Sequence, residues 1–286
     1  MIDLETLSGR VPPRPRTRFA PSPTGWLHLG HVVNAVWVWG VARTLGGTVV
    51  LRMEDHDRTR SRPEYEEGIL EDLAWLGLEP DEDRGRQSDA ETRYSAALDR
   101  LAAGDLVYAC RCSRRDIAEL VPDVADRESP YPGTCRDLGL PRGPGLGVRV
   151  RIAPGAVRFD DLVRGPQVQT PSAQCGDMLV RDRTGNWTYQ FAVVVDDMDH
   201  EIDLVIRGED LLASTGRQIL LARMLGRGAS PAFAHHPLIW KPSGEKLSKA
   251  SGDTGVRDLR TGGARPADVL KEAARRSGLP PDLCPV

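Results

Sequence analysis

Lysine is nearly absent from this chain. Of 38 basic side chains among 286 residues, only Lys241, Lys246, Lys249 and Lys271 are lysine, and the rest are arginine. Three of the four fall within nine residues, so a chain that otherwise uses guanidinium keeps a compact ammonium in one segment. Cysteine is also scarce and odd in number. Cys110, Cys112, Cys135, Cys175 and Cys284 do not suit a disulfide framework, and the clustering of the first three suits a metal site in a reducing cytosol. Neither sign of charge dominates: the net charge of −3 sets up no global field toward nucleic acid or membrane, so any nucleic-acid contact needs a local patch. Long apolar runs are missing. The longest, Ala35–Val41, is broken by Gly40 and cannot span a bilayer. The start of the chain carries Asp3 and Glu5 and no apolar stretch, so no secretory signal and a cytoplasmic location are expected. Repeats and low-complexity tracts are absent, and 40% apolar content is enough for one large domain or two modest ones.

What is present is organised around Arg18-Phe19-Ala20-Pro21-Ser22-Pro23-Thr24-Gly25-Trp26-Leu27-His28-Leu29-Gly30-His31. Pro21 and Pro23 forbid a regular ladder or helix, and Gly25 permits a tight turn. An apolar helix follows over 31–45 and closes at Gly46-Gly47. His28 and His31 therefore stand at a helix N-terminus, where unpaired N–H groups and the dipole favour phosphate. Short strands at Thr17–Ala20 and 48–53 flank this helix, a βαβ unit with ligands expected at its strand carboxyl ends, where Glu54-Asp55-His56-Asp57 follow.

Further along, Pro63 opens a helix that Gly77 stops, and Ser88-Asp89 caps another. From 106 the texture changes to strands at Leu106–Arg111, Val148–Ile152 and Val157–Val163, a short helix begun by Ser113, and Pro/Gly-rich connections at 130–147. The run Phe191–Val195, ending in Asp196-Asp197, reads as a return to a central parallel sheet, with Leu204–Ile206 as a second such strand. Helices are expected from Ser214 to Leu225 and from Pro266 to Ser277. The units expected are 1–105, an insertion at 106–177, a second half at 178–235, and the lysine segment with a short helical tail at 236–286. Cys110-x-Cys112 with Cys135 supplies three thiolates that suit tetrahedral zinc, although the spacing alone leaves free thiols open. Asp55, Asp57, Asp196 and Asp197 read equally well as site residues or as caps and sheet ends.

Taken together, Pro21-Ser22-Pro23-Thr24-Gly25-x-Leu27-His28-Leu29-Gly30-His31 and Lys246-Leu247-Ser248-Lys249 resemble the two signatures of class I aminoacyl-tRNA synthetases. Arg18–Gly25, Arg52-Met53-Glu54-Asp55 and Val205-Ile206-Arg207-Gly208-Glu209-Asp210 narrow the resemblance, which runs from about residue 17 to 250, to the glutamyl branch. It implies an α/β fold, a Rossmann-type parallel-sheet catalytic domain split by a strand-rich, zinc-bearing insertion that contacts nucleic acid. It also implies ATP as a substrate, with magnesium, and formation of a glutamyl adenylate. The carboxylate nucleophile is already ionised, so catalysis needs positioning and charge stabilisation. In that chemistry His28, His31, Lys246 and Lys249 are the catalytic candidates, with Gly30 and Lys249 at the ATP. Arg18, Phe19, Ala20, Pro21, Ser22, Glu54, Tyr189 and Arg207 form the glutamate set: two arginines for carboxylates, Glu54 for the ammonium, and the Tyr189 hydroxyl.

The pattern Cys110-x-Cys112, Tyr131, Cys135 is similar to the zinc site of the short glutamyl paralogues, where the tyrosine is the fourth ligand. Glu119, Asp137 or a water are alternatives to Tyr131. Only 37 residues follow Lys249, too few for the helical anticodon-binding half of a full-length enzyme. Val193 stands where many full-length enzymes have Asn, and Arg217-Gln218 matches the short form. Departures are Ala250 after Lys249, and Gly252-Asp253. The resemblance implies a monomer that activates L-glutamate without tRNA and attaches it to the queuosine base in the anticodon stem-loop of tRNA(Asp). Arg111, Arg114, Arg115, Arg164, Arg181 and Arg183 are the candidate backbone contacts. The alternatives are an adenylate-forming ligase acting on a small amine or carrier protein, and a non-catalytic paralogue that binds tRNA or ATP. Intact His28, Glu54, Arg207 and Lys249 argue against the last.

Overall fold

In a computed structural model of the chain, residues 9–121, 129–239, 255–280 and 283–285 are described. The first third runs β1 (Arg16–Phe19), α1 (Leu29–Thr44), β2 (Thr48–Met53), α2 (Pro63–Leu76), β3 (Glu82–Arg86) and α3 (Glu91–Ala103). The middle holds β4 (Val107–Cys110), α4 (Arg114–Leu120), β5 (Gly147–Val150), β6 (Val157–Asp161), β7 (Gly165–Gln169), α5 (Pro171–Gln174) and β8 (Met178–Arg181). The remainder is α6 (Tyr189–Asp199), β9 (Leu204–Gly208), α7 (Thr215–Met224), β10 (Ala232–His236), α8 (Val256–Thr261) and α9 (Pro266–Ser277).

β1 pairs in parallel with β2, Arg16 opposite Thr48 and Phe19 opposite Leu51, and α1 makes the crossover. α1 is buried on nearly every side, from Val32 and Val33 through Ala35–Ala42, which is why its run is apolar all round. At Gly40 a Cβ would lie 2.1 Å from the Leu283 carbonyl oxygen, so only glycine lets the C-terminal segment pack this closely on α1. On the same flank Trp37 Nε1 donates to Ser277 Oγ of α9 at 3.0 Å. α2 begins with Pro63 and ends at Gly77 in the left-handed conformation, φ 71°.

β9, β10 and β6 form a second parallel set, with Phe233 opposite both Val205 and Asp161; β7 closes it as an antiparallel hairpin with β6. The two sheets meet where β9 lies beside β1. Asp203 N–H donates to the Arg16 carbonyl at 3.0 Å, and Arg16 N–H to the Asp203 carboxylate at 2.7 Å. The carboxyl ends of β1, β2 and β9 thus converge, the ligand-binding edge of a parallel α/β sheet. A third sheet, β4-β5-β8, is antiparallel. No helix among the described residues is long and apolar enough to cross a membrane.

Several elements differ from the sequence-based expectation. Phe191–Val195 is not a strand but the middle of α6; all five side chains are buried, and a helix buried on every side carries no period to distinguish it from a buried strand. Val157–Asp161 pairs with β10 in the second parallel set, whereas Met178–Arg181 pairs with β5, so strands on both sides of 177 depart from the expected boundary of the insertion. β3, with sequence Glu-Asp-Arg-Gly-Arg, was not anticipated; it is held by main-chain pairing along β2 rather than by apolar side chains. The N-cap of α3 is Ala90, not Ser88-Asp89, which lie in a preceding single turn.

Candidate active site and metal centre

The Pro/Gly turn after β1 is pinned at two points: Glu54 N–H donates to the Pro21 carbonyl at 2.9 Å, and Arg62 N–H to the Pro23 carbonyl at 3.0 Å. His28 is itself the N-cap of α1. Its Nδ1 accepts from Gly30 N–H at 3.0 Å, and His31 Nδ1 accepts from His28 N–H at 3.1 Å, a reciprocal capping box made of imidazoles. With each Nδ1 accepting, a neutral ring carries its proton on Nε2, the nitrogen that can donate to a phosphate oxygen. The two rings lie 4.0 Å apart between centroids. A Cβ at Gly30 would come within 2.8 Å of the His28 ring, so a side chain there would dislodge the cap.

Beside this turn a cavity of about 390 Å³ is lined by Arg18, Ala20, Asn34, Glu54, Tyr189, Ile206, Arg207, Gly208 and Leu211. Five of the eight residues expected in the glutamate set are therefore brought together from β1, β2, α6 and β9. Phe19 is not among them: it turns into the core, its ring edge-on to Trp39 at 5.3 Å. Pro21 and Ser22 belong to the turn. Lys246 and Lys249 lie outside the described residues.

The three arginines under this cavity are treated differently. Arg52, buried in an otherwise apolar strand, donates to Asp197 at 2.8 Å and to Glu54 at 2.9 Å. Burial opposes its charge, but Asp197, Glu54 and Asp196 outweigh that and hold the guanidinium above the ordinary arginine value. Arg18 donates to Asp197 at 3.2 Å and to the Ile206 carbonyl at 3.2 Å. Burial would raise the Asp197 carboxyl, yet Arg18 and Arg52 bring it below its usual range. Arg207 is different. Its Nε, Nη1 and Nη2 donate to His235 Nε2 (3.0 Å), Gln218 Oε1 (2.7 Å) and Thr215 Oγ1 (2.9 Å), all neutral acceptors. Burial pulls its pKa down, and no carboxylate among the described residues forms an ion pair with it. A buried cation fixed by neutral groups and facing a cavity is suited to receive an anion. Tyr189 beside it is raised, first by burial and then by Glu54, and stays a hydroxyl.

Sequence reasoning had no means of finding Thr215, Gln218 and His235 as a set, since their spacing is tertiary. Arg52 did leave a signal, a lone cation within an apolar strand. Of the four carboxylates left open, Asp197 sits under the site. Asp196 accepts from Gln87, Tyr94 and Arg93. Asp55 caps the Ser88 N–H at 2.7 Å, and Asp57 holds Thr59 and Arg60.

In the insertion Cys110, Cys112 and Cys135 bring their sulfurs within 4.8 Å of one another. Cys112 and Cys135 are 3.5 Å apart, and the Tyr131 hydroxyl is 3.4 Å from Cys110 Sγ and 3.7 Å from Cys112 Sγ. Tetrahedral zinc with Zn–S bonds of about 2.3 Å places its sulfurs about 3.8 Å apart, so this donor set fits. The Tyr131 hydroxyl stands beside these sulfurs and also accepts from Cys135 N–H at 2.8 Å, while Asp137 and Glu119 point to solvent as partners of Arg151 and Arg115. Arg149 supports the group, its Nε 3.3 Å from Cys110 Sγ and its guanidinium 3.7 Å from the centre of the Tyr131 ring. Of the cations considered for nucleic acid, Arg164 is paired with Glu209, Arg115 with Glu119, and Arg181 stacks on Trp187. Arg181 and Arg183 line a separate cleft of about 720 Å³ with Arg142.

Comparison with known proteins gives concordant results. The family model of the class I tRNA synthetase (E and Q) catalytic domain matches residues 15–282. The chain is 44% identical over 273 residues to the glutamyl-Q tRNA(Asp) synthetase of Burkholderia cenocepacia, covering 93% of this chain and 89% of that protein. It is 46% identical over 253 residues to the protein of the same name from Geobacter sulfurreducens, covering 86% and 80%. Among solved structures, a glutamate tRNA ligase from Elizabethkingia meningosepticum in complex with its amino acid superposes with a TM-score of 0.78 at 30% identity. That match covers 91% of this chain and 60% of the ligase, so this chain spans somewhat under two thirds of its length.

Proposed function

The chain belongs to the class I tRNA synthetase family for glutamate and glutamine and is a ligase, and from that premise we propose that it activates L-glutamate with ATP and transfers it to the queuosine base of tRNA(Asp). The observation that carries the amino-acid part is Arg207, a buried guanidinium held by neutral acceptors at the wall of the cavity. The side-chain carboxylate of glutamate supplies the missing counter-charge. Glutamine and aspartate do not: one lacks the charge, the other the reach. Glu54 takes the ammonium, Arg18 lies toward the α-carboxylate, and the Tyr189 hydroxyl completes the pocket.

His28 and His31 donate from Nε2 to the phosphates at the N-terminus of α1. Lys249, with Lys246, supplies the opposing positive charge, and Gly30 leaves room for the His28 ring. Magnesium arrives with the ATP. The attacking carboxylate needs no base, so these residues orient the two substrates and stabilise charge on the phosphoryl group. Zinc bound by Cys110, Cys112, Tyr131 and Cys135 would be structural, holding the insertion in shape. The acceptor is the anticodon stem-loop, approached by the insertion and the catalytic cleft. The protein acts as a cytoplasmic monomer with units 1–105, 106–177, 178–235 and 236–286, across whose boundaries β6 and β7 join the sheet of β9 and β10 and β8 joins that of β4 and β5.

Pyrophosphate–ATP exchange tests the activation step. Exchange that depends on L-glutamate and proceeds without RNA supports it; exchange driven equally by glutamine or aspartate contradicts it.

A further inference from the structure

Arg207 is aimed by a relay that reaches into a different part of the chain. Its Nε donates to His235 Nε2, on β10, at 3.0 Å, and the other ring nitrogen, Nδ1, lies 2.5 Å from Asp161 Oδ2, the last residue of β6. Asp161 and His235 are both fully buried. Asp161 Oδ1 is occupied by the N–H groups of Val163 (3.0 Å), Arg164 (2.8 Å) and His235 (3.3 Å). An acceptor so surrounded is ionised; burial alone would raise it, but the bond from His235 and those N–H groups bring it below the usual range. An ionised Asp161 requires the His235 proton on Nδ1. Nε2 is then a lone pair, and it faces two donors, Arg207 Nε and, at 3.2 Å, the Thr215 hydroxyl.

We propose that Asp161 and His235 are positioning residues for the carboxylate receptor: Asp161 fixes the His235 tautomer, and the resulting Nε2 acceptor, with Gln218 and Thr215, sets the plane of the Arg207 guanidinium toward the cavity. The proposal rests on the reading of Arg207 as the glutamate receptor. Its physical content is that neutral acceptors orient Arg207 without neutralising it. A carboxylate in place of His235 would hold the guanidinium equally well but would cancel the charge the substrate must meet. The pair also gives β6 a role: the strand that joins the second parallel set through β10 delivers Asp161 to the specificity pocket.

Asp161→Asn is the discriminating variant. Its Oδ1 is still required by three main-chain N–H groups, so its amide NH₂ must face His235 Nδ1. That forces the proton to Nε2 and sets it against the Arg207 Nε–H. In pyrophosphate–ATP exchange the KM for L-glutamate should rise roughly ten- to hundredfold, the cost of one misdirected charged hydrogen bond, with kcat and the KM for ATP within about twofold of wild type. His235→Gln, which can place an amide oxygen near the position of Nε2, should keep the KM for glutamate within about threefold of wild type. His235→Leu should behave like Asp161→Asn. An unchanged KM in Asp161→Asn overturns the proposal, as does a His235→Gln variant no better than His235→Leu. Equal rises in the KM for glutamate and for ATP would reduce the pair to general support and also overturn it. Thermal melting of each variant separates these outcomes from unfolding. Wild-type protein with no glutamate-dependent exchange would instead remove the underlying reading of the site, a result distinguishable from all of these.

Discussion

The main chains of His28 and Gly255 pair in an antiparallel bridge, and Val256 N–H donates to the Leu27 carbonyl at 2.9 Å. The chain that resumes at Gly255 is therefore anchored on the turn that carries His28 and His31. Arg257 reinforces the anchor from 4.8 Å over the Trp26 ring. Lys249 precedes Gly255 by six positions in the sequence.

With Lys249 as the charge donor opposite the histidines in the proposed reaction, Lys249→Ala should lower kcat in pyrophosphate–ATP exchange by roughly two to three powers of ten, the loss typical of one transition-state charge donor. The KM for glutamate should change little, because the cavity is lined by residues of β1, β2, α6 and β9 and their flanks. A variant with wild-type kcat would take Lys249 out of the chemistry.

The cysteine group leads to a metal prediction. Elemental analysis should find about one zinc per chain, and Cys112→Ser should lose it along with the order of the β4-β5-β8 sheet, read by circular dichroism and proteolysis. Activation of glutamate should survive better than transfer, since the cysteine group lies far along the chain from the turn at His28 and His31. Metal-free protein with an intact insertion would reduce the group to packed thiols.

Asp72 predicts an unusual pH dependence of stability. It lies fully buried on α2; among the described residues neither carboxylate oxygen has a hydrogen-bond partner, and Arg260 is the cation within 4 Å, at 3.7 Å. Burial raises its pKa to about 6, against the pull of Arg260. A carboxyl raised above its unfolded value of about 4 holds its proton longer in the folded state. Its ionisation therefore destabilises the fold as pH rises through that window, by roughly 2–3 kcal/mol once complete. Asp72→Asn should remove this term, so the stability of the variant relative to wild type should grow between pH 4.5 and pH 7.5. A difference that stays constant with pH would show that Asp72 is not the titrating group.

Much of this architecture could be read from residue types alone, and the remainder could not for definable reasons. The proline-punctuated turn, the helix behind it and the strand ending at Glu54 all announce themselves through local rules: proline geometry, a buried β-branched run, glycine stops. Helix α6 does not, because Phe191–Val195 is buried all round and a run without period fits strand or helix equally. β3 is invisible in a different way, since its five polar residues are strand only by virtue of the β2 edge beside them. In the candidate site, Arg18, Glu54 and Arg207 stand at strand ends and could be anticipated. Thr215, His235 and Asp161 could not, nor could the part Gln218 plays beside them, because what unites them is the guanidinium they surround.

The acceptor is the centre of the account and has a direct measurement. Labelled glutamate, ATP and the protein are incubated with tRNA(Asp) that carries or lacks queuosine, and with tRNA(Glu); the terminal adenosine is then removed and the label followed. We predict label on tRNA(Asp) only when queuosine is present, retained after the 3′ end is cleaved away. Label on the 3′ adenosine of tRNA(Glu) would contradict the account.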